Sequence, residues 1–132
     1  MICYSEGHDI DLEQLAALFV TAGWEHRARD RTRLGALVAN SRFVVSAWDG
    51  ERLVAFARAI SDGVSNAYVS TVAVLPAWRG RGIGREIVRR LVTGEEKDTI
   101  RWVLHARAEL HGFYAENGFH PAPDMLWRDR RA

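Results

Sequence analysis

The sequence holds one cysteine, no long apolar run and almost no net charge, and each shortage excludes something. Cys3, being alone, forms no internal disulfide, so a reducing cytoplasm is the expected compartment. Cys3 itself reads as a small hydrophobe on a first strand or as a catalytic thiol. No apolar stretch approaches the roughly 18 residues that would cross a membrane, and Met1 to Asp9 lacks the basic region and apolar core of a signal peptide. Eighteen basic residues against seventeen acidic ones leave +1, which argues against a nucleic-acid partner. Repeats, low-complexity tracts and Pro/Gly-rich linkers are missing as well. The 132 residues are therefore expected to form one domain, 1–132. The histidines at 8, 26, 105, 111 and 120 have no zinc-type spacing, so no metal is expected.

What is present alternates between strand and helix patterns. Met1 to Ser5 reads as a short strand, and Asp11 as an N-cap that Gln14 is placed to answer, with Ile10 and Leu15 set to close a hydrophobic staple. Apolar residues at 12, 15, 16, 19 and 22 then share one helix face. A second helix is expected from Asp30 to Asn40, where Leu34, Leu37 and Val38 share a side. Arg42 to Trp48, the turn Asp49-Gly50 and Glu51 to Ile60 read as a hairpin. After the turn Ser61 to Ser65, Ala67 to Leu75 reads as a strand buried on both faces, ended by Pro76. Gly82 to Leu91 returns to helical spacing, and Thr99 to His105 is a further strand. Arg107 to Asn117 is expected as a helix closed by Gly118, with Phe119 folding back toward Tyr114, and a last strand around Met125 to Trp127. The mixture predicts an α/β (α+β) three-layer domain.

The loop Arg79-Gly80-Arg81-Gly82-Ile83-Gly84 lies between a strand and a helix, where the first helical N–H groups lack internal partners and the dipole favours an anion. Glycines at 80, 82 and 84 let backbone approach a diphosphate, and Arg79, Arg81 and Arg85 add charge. Between Arg79 and Arg90 five arginines face Glu86 alone, an excess of four positive charges suited to a ligand with a few phosphates. The spacing excludes two other phosphate loops. A G-x-G-x-x-G count ends on Arg85 or Ile87, and Gly84 is followed by Arg85-Glu86 rather than Lys-Ser/Thr.

The run from Val72 through Pro76 to Gly84 resembles the acetyl-CoA signature of the GCN5-related N-acetyltransferases (GNAT), R/Q-x-x-G-x-G/A, with Arg79, Gly82 and Gly84 at its fixed positions. Phe113-Tyr114-Ala115-Glu116-Asn117-Gly118-Phe119 resembles the family's F-Y-x-x-x-G-F segment. The resemblance implies a central mixed, mostly antiparallel sheet, splayed between the fourth and fifth strands, with helices on both faces. It also implies acetyl-CoA as co-substrate, with Val72, Ala73 and Val74 offering backbone groups to its arm and thioester and an N–H near Val74 donating to the oxyanion. Arg79, Gly80, Arg81, Gly82, Ile83, Gly84 and Arg85 would hold the pyrophosphate, and Tyr114 would touch the coenzyme as well. One departure stands out: the Asn that usually holds the pantetheine arm is Arg107 here, which meets a coenzyme phosphate or is surface.

Acetyl transfer to an amine needs a neutral nucleophile, an oxyanion donor and a proton for the departing thiolate. Tyr114 is the expected general acid, since a phenol of pKa near ~10 is protonated at neutral pH. The base stays open among Glu25, His26, Asp62, Ser70 and His105. Strand alternation puts Ser70 on the face of Val72, as a ligand for a water. Trp24 lies in the segment that borders the acceptor site in this family, where it would line an apolar pocket. The acceptor is expected to be a small-molecule amine or a lysine; a homodimer is common in the family. Competing readings are a non-catalytic acyl-CoA-binding module and a tRNA-directed acetylating toxin, the latter poorly matched by a charge of +1.

Overall fold

The computed structural model describes residues 1–131. One sheet of five strands runs in the order β1 (Ile2–Glu6), β2 (Phe43–Asp49), β3 (Arg52–Ser61), β4 (Asn66–Val74), β5 (Arg101–Leu104). The first four strands pair antiparallel, and β5 joins β4 in parallel. Helices α1 (Leu12–Thr21), α2 (Glu25–Ala28) and α3 (Arg31–Ala39) precede the main hairpin. Helix α4 (Ile83–Val92) crosses from β4 to β5, and α5 (His111–Ala115) follows β5.

Local chemistry sets the helix starts. Asp11 accepts the N–H groups of Glu13 and Gln14 at the head of α1, and Asp30 accepts those of Thr32 and Arg33 at the head of α3. Gln14 Nε2 donates to Asp11 Oδ2 at 3.4 Å and to the carbonyl of Glu51 at 3.0 Å, and Oε1 accepts from the N–H of Leu53 at 2.8 Å. The first helix is thereby tied to the β2–β3 turn. Asp49 pairs with Arg52, so the two-residue turn is Gly50-Glu51, and Gly50, at φ 60°, supplies its positive-φ first residue.

Two cores lie on opposite faces of the sheet. Ile83, Ile87 and Leu91 of α4 pack with Val45, Ala55, Ala57 and Val69 on one side. Leu15, Leu18 and Phe19 of α1 and Leu34 and Val38 of α3 pack with Leu53, Phe56 and Ala73 on the other. This is the three-layer arrangement expected from the sequence. The small residues Ala55, Ala57 and Ala59 on β3, all fully buried, let α4 sit close over the sheet centre.

Strand β4 departs from the expectation of a strand buried on both faces. Its burial alternates along its whole length, but its pairing skips one residue: Arg58 pairs with Thr71 while Ala59 pairs with Val69, so Ser70 is the extra residue of a β-bulge. Before the bulge Ala67 and Val69 face α4; after it Val72 and Val74 do. Ser70 therefore does not share the face of Val72. Pairing with β5 stops at Val69–Leu104, immediately before the bulge, whereas β4 continues to Val74. A bulge bends its strand and increases the local twist, and the sheet splays there between its fourth and fifth strands.

The end of the chain also differs. The helix expected from Arg107 to Asn117 is a 3-10 turn at Ala108–Leu110 followed by the five-residue α5, in which Gly112 is a poor helix former. No strand forms at Met125–Trp127. Pro121 and Pro123 remove donors just ahead of it, and β5 offers only four residues to pair with. Trp127 instead stacks on His105, with ring centroids 4.3 Å apart. Phe56→Ala, which empties the fully buried centre beneath α1, is expected to cost about 3–5 kcal/mol in urea unfolding.

Candidate active site

Three segments converge where β4 loses its neighbour. The first is the open length of β4 from Ser70 to Val74, whose backbone groups on that edge have no strand opposite. The second is the loop into α4. Gly80 and Gly82 adopt φ 77° and 81°, a region barred to most side chains, and the space that a Cβ would enter is open at both. The third is α5, whose Phe113 ring reaches the first turn of α4: a Cβ built on Gly84 would lie 3.3 Å from Phe113 Cζ and 3.5 Å from Val74 Cγ2.

The three glycines therefore do different work. Gly80 and Gly82 shape a turn with free space before it, as the phosphate-loop reading requires. Gly84 is helical and fits between Phe113 and Val74, so its missing side chain serves the contact of α4 with α5 and β4. That role comes from a residue 29 positions away and has no mark in the local sequence.

The start of α4 carries the decisive chemistry. Both α1 and α3 have an aspartate over their first N–H groups, but no side chain caps α4 at Gly82. The helix begins with Glu86 N–H bonded to the carbonyl of Gly82, which leaves the earlier N–H groups pointing outward. Glu86, the one acid of the first turn, is turned away onto Arg89 and Arg90 at 2.6 and 2.9 Å, and these contacts hold its carboxyl down at about 2. Around the uncapped end, Arg81 is exposed, Arg79 donates from Nε to the carbonyl of Val74 at 3.0 Å, and Arg85 pairs with Glu116 at 3.3 Å. The result is a helix dipole end with cations beside it and no anion over it.

Tyr114 is half-buried between Phe113 and Phe119, at centroid distances of 4.9 and 5.9 Å. Gly118, at φ 87°, turns the chain so that Phe119 returns onto this ring, as the sequence predicts. Burial raises the phenol above its ordinary pKa, so it stays protonated through neutral and mildly alkaline pH.

Other expected residues fall elsewhere. Ser70 Oγ accepts from Arg58 Nη2 at 3.1 Å, on the face toward α1 and α3. Trp24 packs edge-on against Phe19 at 5.4 Å and carries Arg27 at 5.5 Å, forming the rim of the core under α1. Asp62 accepts the N–H groups of Val64 and Ser65 and the Ser65 hydroxyl; the Ser65 bonds above all hold its carboxyl far below the usual range. It is a turn residue and poorly suited to take a proton. Glu25, His26 and His105 are exposed, and Arg107 is an exposed residue ion-paired with Glu109 at 3.5 Å. Cys3 is exposed on β1. Sequence reasoning misses Arg58, a buried cation whose mark is a lone arginine inside the apolar run of β3.

The acetyltransferase (GNAT) domain model matches residues 39–121, well over half of the chain. The chain belongs to the GNAT acetyltransferase family. It is 31% identical to histone acetyltransferase TAP1 of Glycine max, over 96% of this chain and 61% of that protein. It is 34% identical to serotonin N-acetyltransferase 2, chloroplastic, of Oryza sativa subsp. japonica, over 89% of this chain and 60% of that one. The chain thus spans about three-fifths of the length of these curated relatives. A GNAT-family acetyltransferase from Streptococcus pneumoniae superposes with a TM-score of 0.77 at 24% identity, covering 99% of this chain and all of that one. The aminoglycoside N-acetyltransferase AAC(6')-Iy, solved in complex with CoA, superposes with a TM-score of 0.76 at 15% identity, covering 100% of this chain and 96% of that one. These likenesses establish the GNAT fold. Among the described residues no helix is long and apolar enough to cross a membrane.

Gly82→Ala, forced into a left-handed conformation, is expected to cost about 1–2 kcal/mol. Gly84→Val should cost about 1–3 kcal/mol by overpacking, and the double change with Phe113→Leu should cost less than the two singles together. Urea unfolding of the four variants checks both.

Proposed function

We propose that this GNAT chain is an N-acetyltransferase that takes an acetyl group from acetyl-CoA and passes it directly to a primary amine, a small molecule or a lysine. The observation that carries the reading is the uncapped start of α4, set at the mouth of the gap beside β4 and flanked by arginines. A diphosphate fits the chemistry of this end: outward N–H groups, positive-φ glycines with open space before them, and Glu86 turned away onto Arg89 and Arg90. Arg79, Gly80, Arg81, Gly82, Ile83, Gly84 and Arg85 form that end in this reading, with Gly84 acting through its packing. The coenzyme, when bound, supplies an acetyl group activated as a thioester.

The chain's own residues then have three tasks. Val72, Ala73 and Val74 present backbone polar groups along the open edge, and an N–H there stabilises negative charge on the carbonyl oxygen. The amine nitrogen forms a C–N bond as the C–S bond breaks, its surplus proton passing to water. The phenolic Oη of Tyr114 gives its proton to the departing sulfur. The half-buried position of Tyr114 beside the α4–α5 contact and its raised pKa support that role. Cytoplasmic placement belongs to this proposal, supported by the single free Cys3.

Gly82→Glu is expected to abolish acetyl-CoA binding in calorimetry, because it fills the open space and brings a carboxylate to the anion site. Unchanged affinity with a folded protein would overturn the phosphate-loop reading. Tyr114→Phe should lower kcat by about 100-fold or more while leaving acetyl-CoA affinity within a small factor. Since burial raises the Tyr114 pKa, wild-type activity should persist into mildly alkaline pH and fall as the phenol ionises; the Phe variant should lack that alkaline limb. A pH profile unchanged by the substitution would remove Tyr114 from the acid role.

A further inference from the structure

Arg58 is the one arginine in the middle of the sheet, 7% exposed, and none of its partners is a carboxylate. Nε donates to Thr71 Oγ1 at 2.9 Å, Nη1 to Ser41 Oγ at 3.3 Å and Nη2 to Ser70 Oγ at 3.1 Å. A guanidinium has five N–H donors, so one N–H on each terminal nitrogen is left over. Burial, reinforced by the positive charge of Arg27, pushes the group down to about 10, and it remains a cation at neutral pH. Arg27, on α2, is held over the Trp24 ring; among the described residues neither arginine forms a salt bridge.

A buried charge without a counter-ion is costly, and a second like charge nearby adds to the cost. The place of this charge gives it a use. Ser70 and Thr71, which hold Arg58, are the first residues of β4 beyond its last pair with β5. They face α1–α3, whereas the coenzyme loop opens at the head of α4 on the opposite face. An acceptor must approach the thioester from the side the coenzyme does not fill, and that side holds two arginines, the buried Arg58 and the half-buried Arg27.

We propose that Arg58, supported by Arg27, binds a carboxylate of the acceptor, so that the amine acetylated by this protein is one that also carries an acid, as an amino acid does. The inference rests on the acetyl-transfer reading and names its substrate class. The planar fork of Arg58 takes the carboxylate, the Ser70 and Thr71 hydroxyls fix the fork, and the amine is left to reach the gap. The same field disfavours a protonated amine and so helps to deliver the nucleophile uncharged.

The test is thiol release from acetyl-CoA with matched acceptors: the L-α-amino acids, β-alanine and 4-aminobutyrate, each beside its carboxamide. The expected result is a preference for the acid in at least one pair, with kcat/KM about 10- to 100-fold higher, carried mainly by KM. In Arg58→Gln that ratio should fall toward one, Arg58→Lys should restore part of it, and Arg27→Ala, on half-buried α2, should reduce it about threefold or more should Arg58→Gln fail to fold. If no carboxylate-bearing amine is acetylated, or acid and carboxamide react alike, the Arg58 assignment is overturned while acetyl transfer stands. If the protein binds no acetyl-CoA in calorimetry, the transferase reading fails and the assignment with it.

Discussion

The active-site geometry depends on one irregularity, the bulge at Ser70 in β4. Pairing with β5 ends at Val69–Leu104, the last residue of that strand, immediately before the bulge. The extra residue bends β4 at that point, so the backbone from Ser70 to Val74 runs on without a neighbour. The same residue shifts the side-chain parity. Val72 and Val74 are thereby returned to the α4 core, and Ser70 and Thr71 both turn to Arg58 on the other face. One added residue thus opens the gap and seats the cation beside it.

The rest of the fold is built so that this opening can be tolerated. β1 to β4 pair antiparallel, with the β2–β3 turn tied to α1 through Gln14. α4 buries its apolar side on the alanines of β3, so the end of β4 is held from one face by packing rather than by a fifth strand. Arg79 adds a bond to the carbonyl of Val74, and Gly84 allows Phe113 of α5 to press in beside it. Close contact among α4, α5 and the strand end replaces the missing ladder there.

Much of this was legible in the sequence because it is encoded locally. Asp11 and Asp30 mark helix starts, Asp49-Gly50 marks the hairpin, and the arginine–glycine run before Ile83, Ile87 and Leu91 marks the start of α4. What escaped is set by tertiary contact. A bulge has no signature in a strand as apolar as Ala67 to Leu75, and simple alternation placed Ser70 on the wrong face. Gly84 reads like its neighbours until the Phe113 ring is seen against it. The tail around Met125–Trp127 has no length of β5 edge to meet, and α5 is shorter than its pattern because Ala108–Leu110 winds as a 3-10 turn ahead of it.

The uncapped start of α4 has a thermodynamic consequence. A helix whose first donors wait for an external acceptor is a helix whose last increment of stability is supplied from solution. Any anion that binds there, and not to the unfolded chain, adds its binding free energy to that of folding, and the gain grows with the logarithm of its concentration. In the proposed reading, the stability of this fold therefore rises with the concentration of the anion that α4 receives.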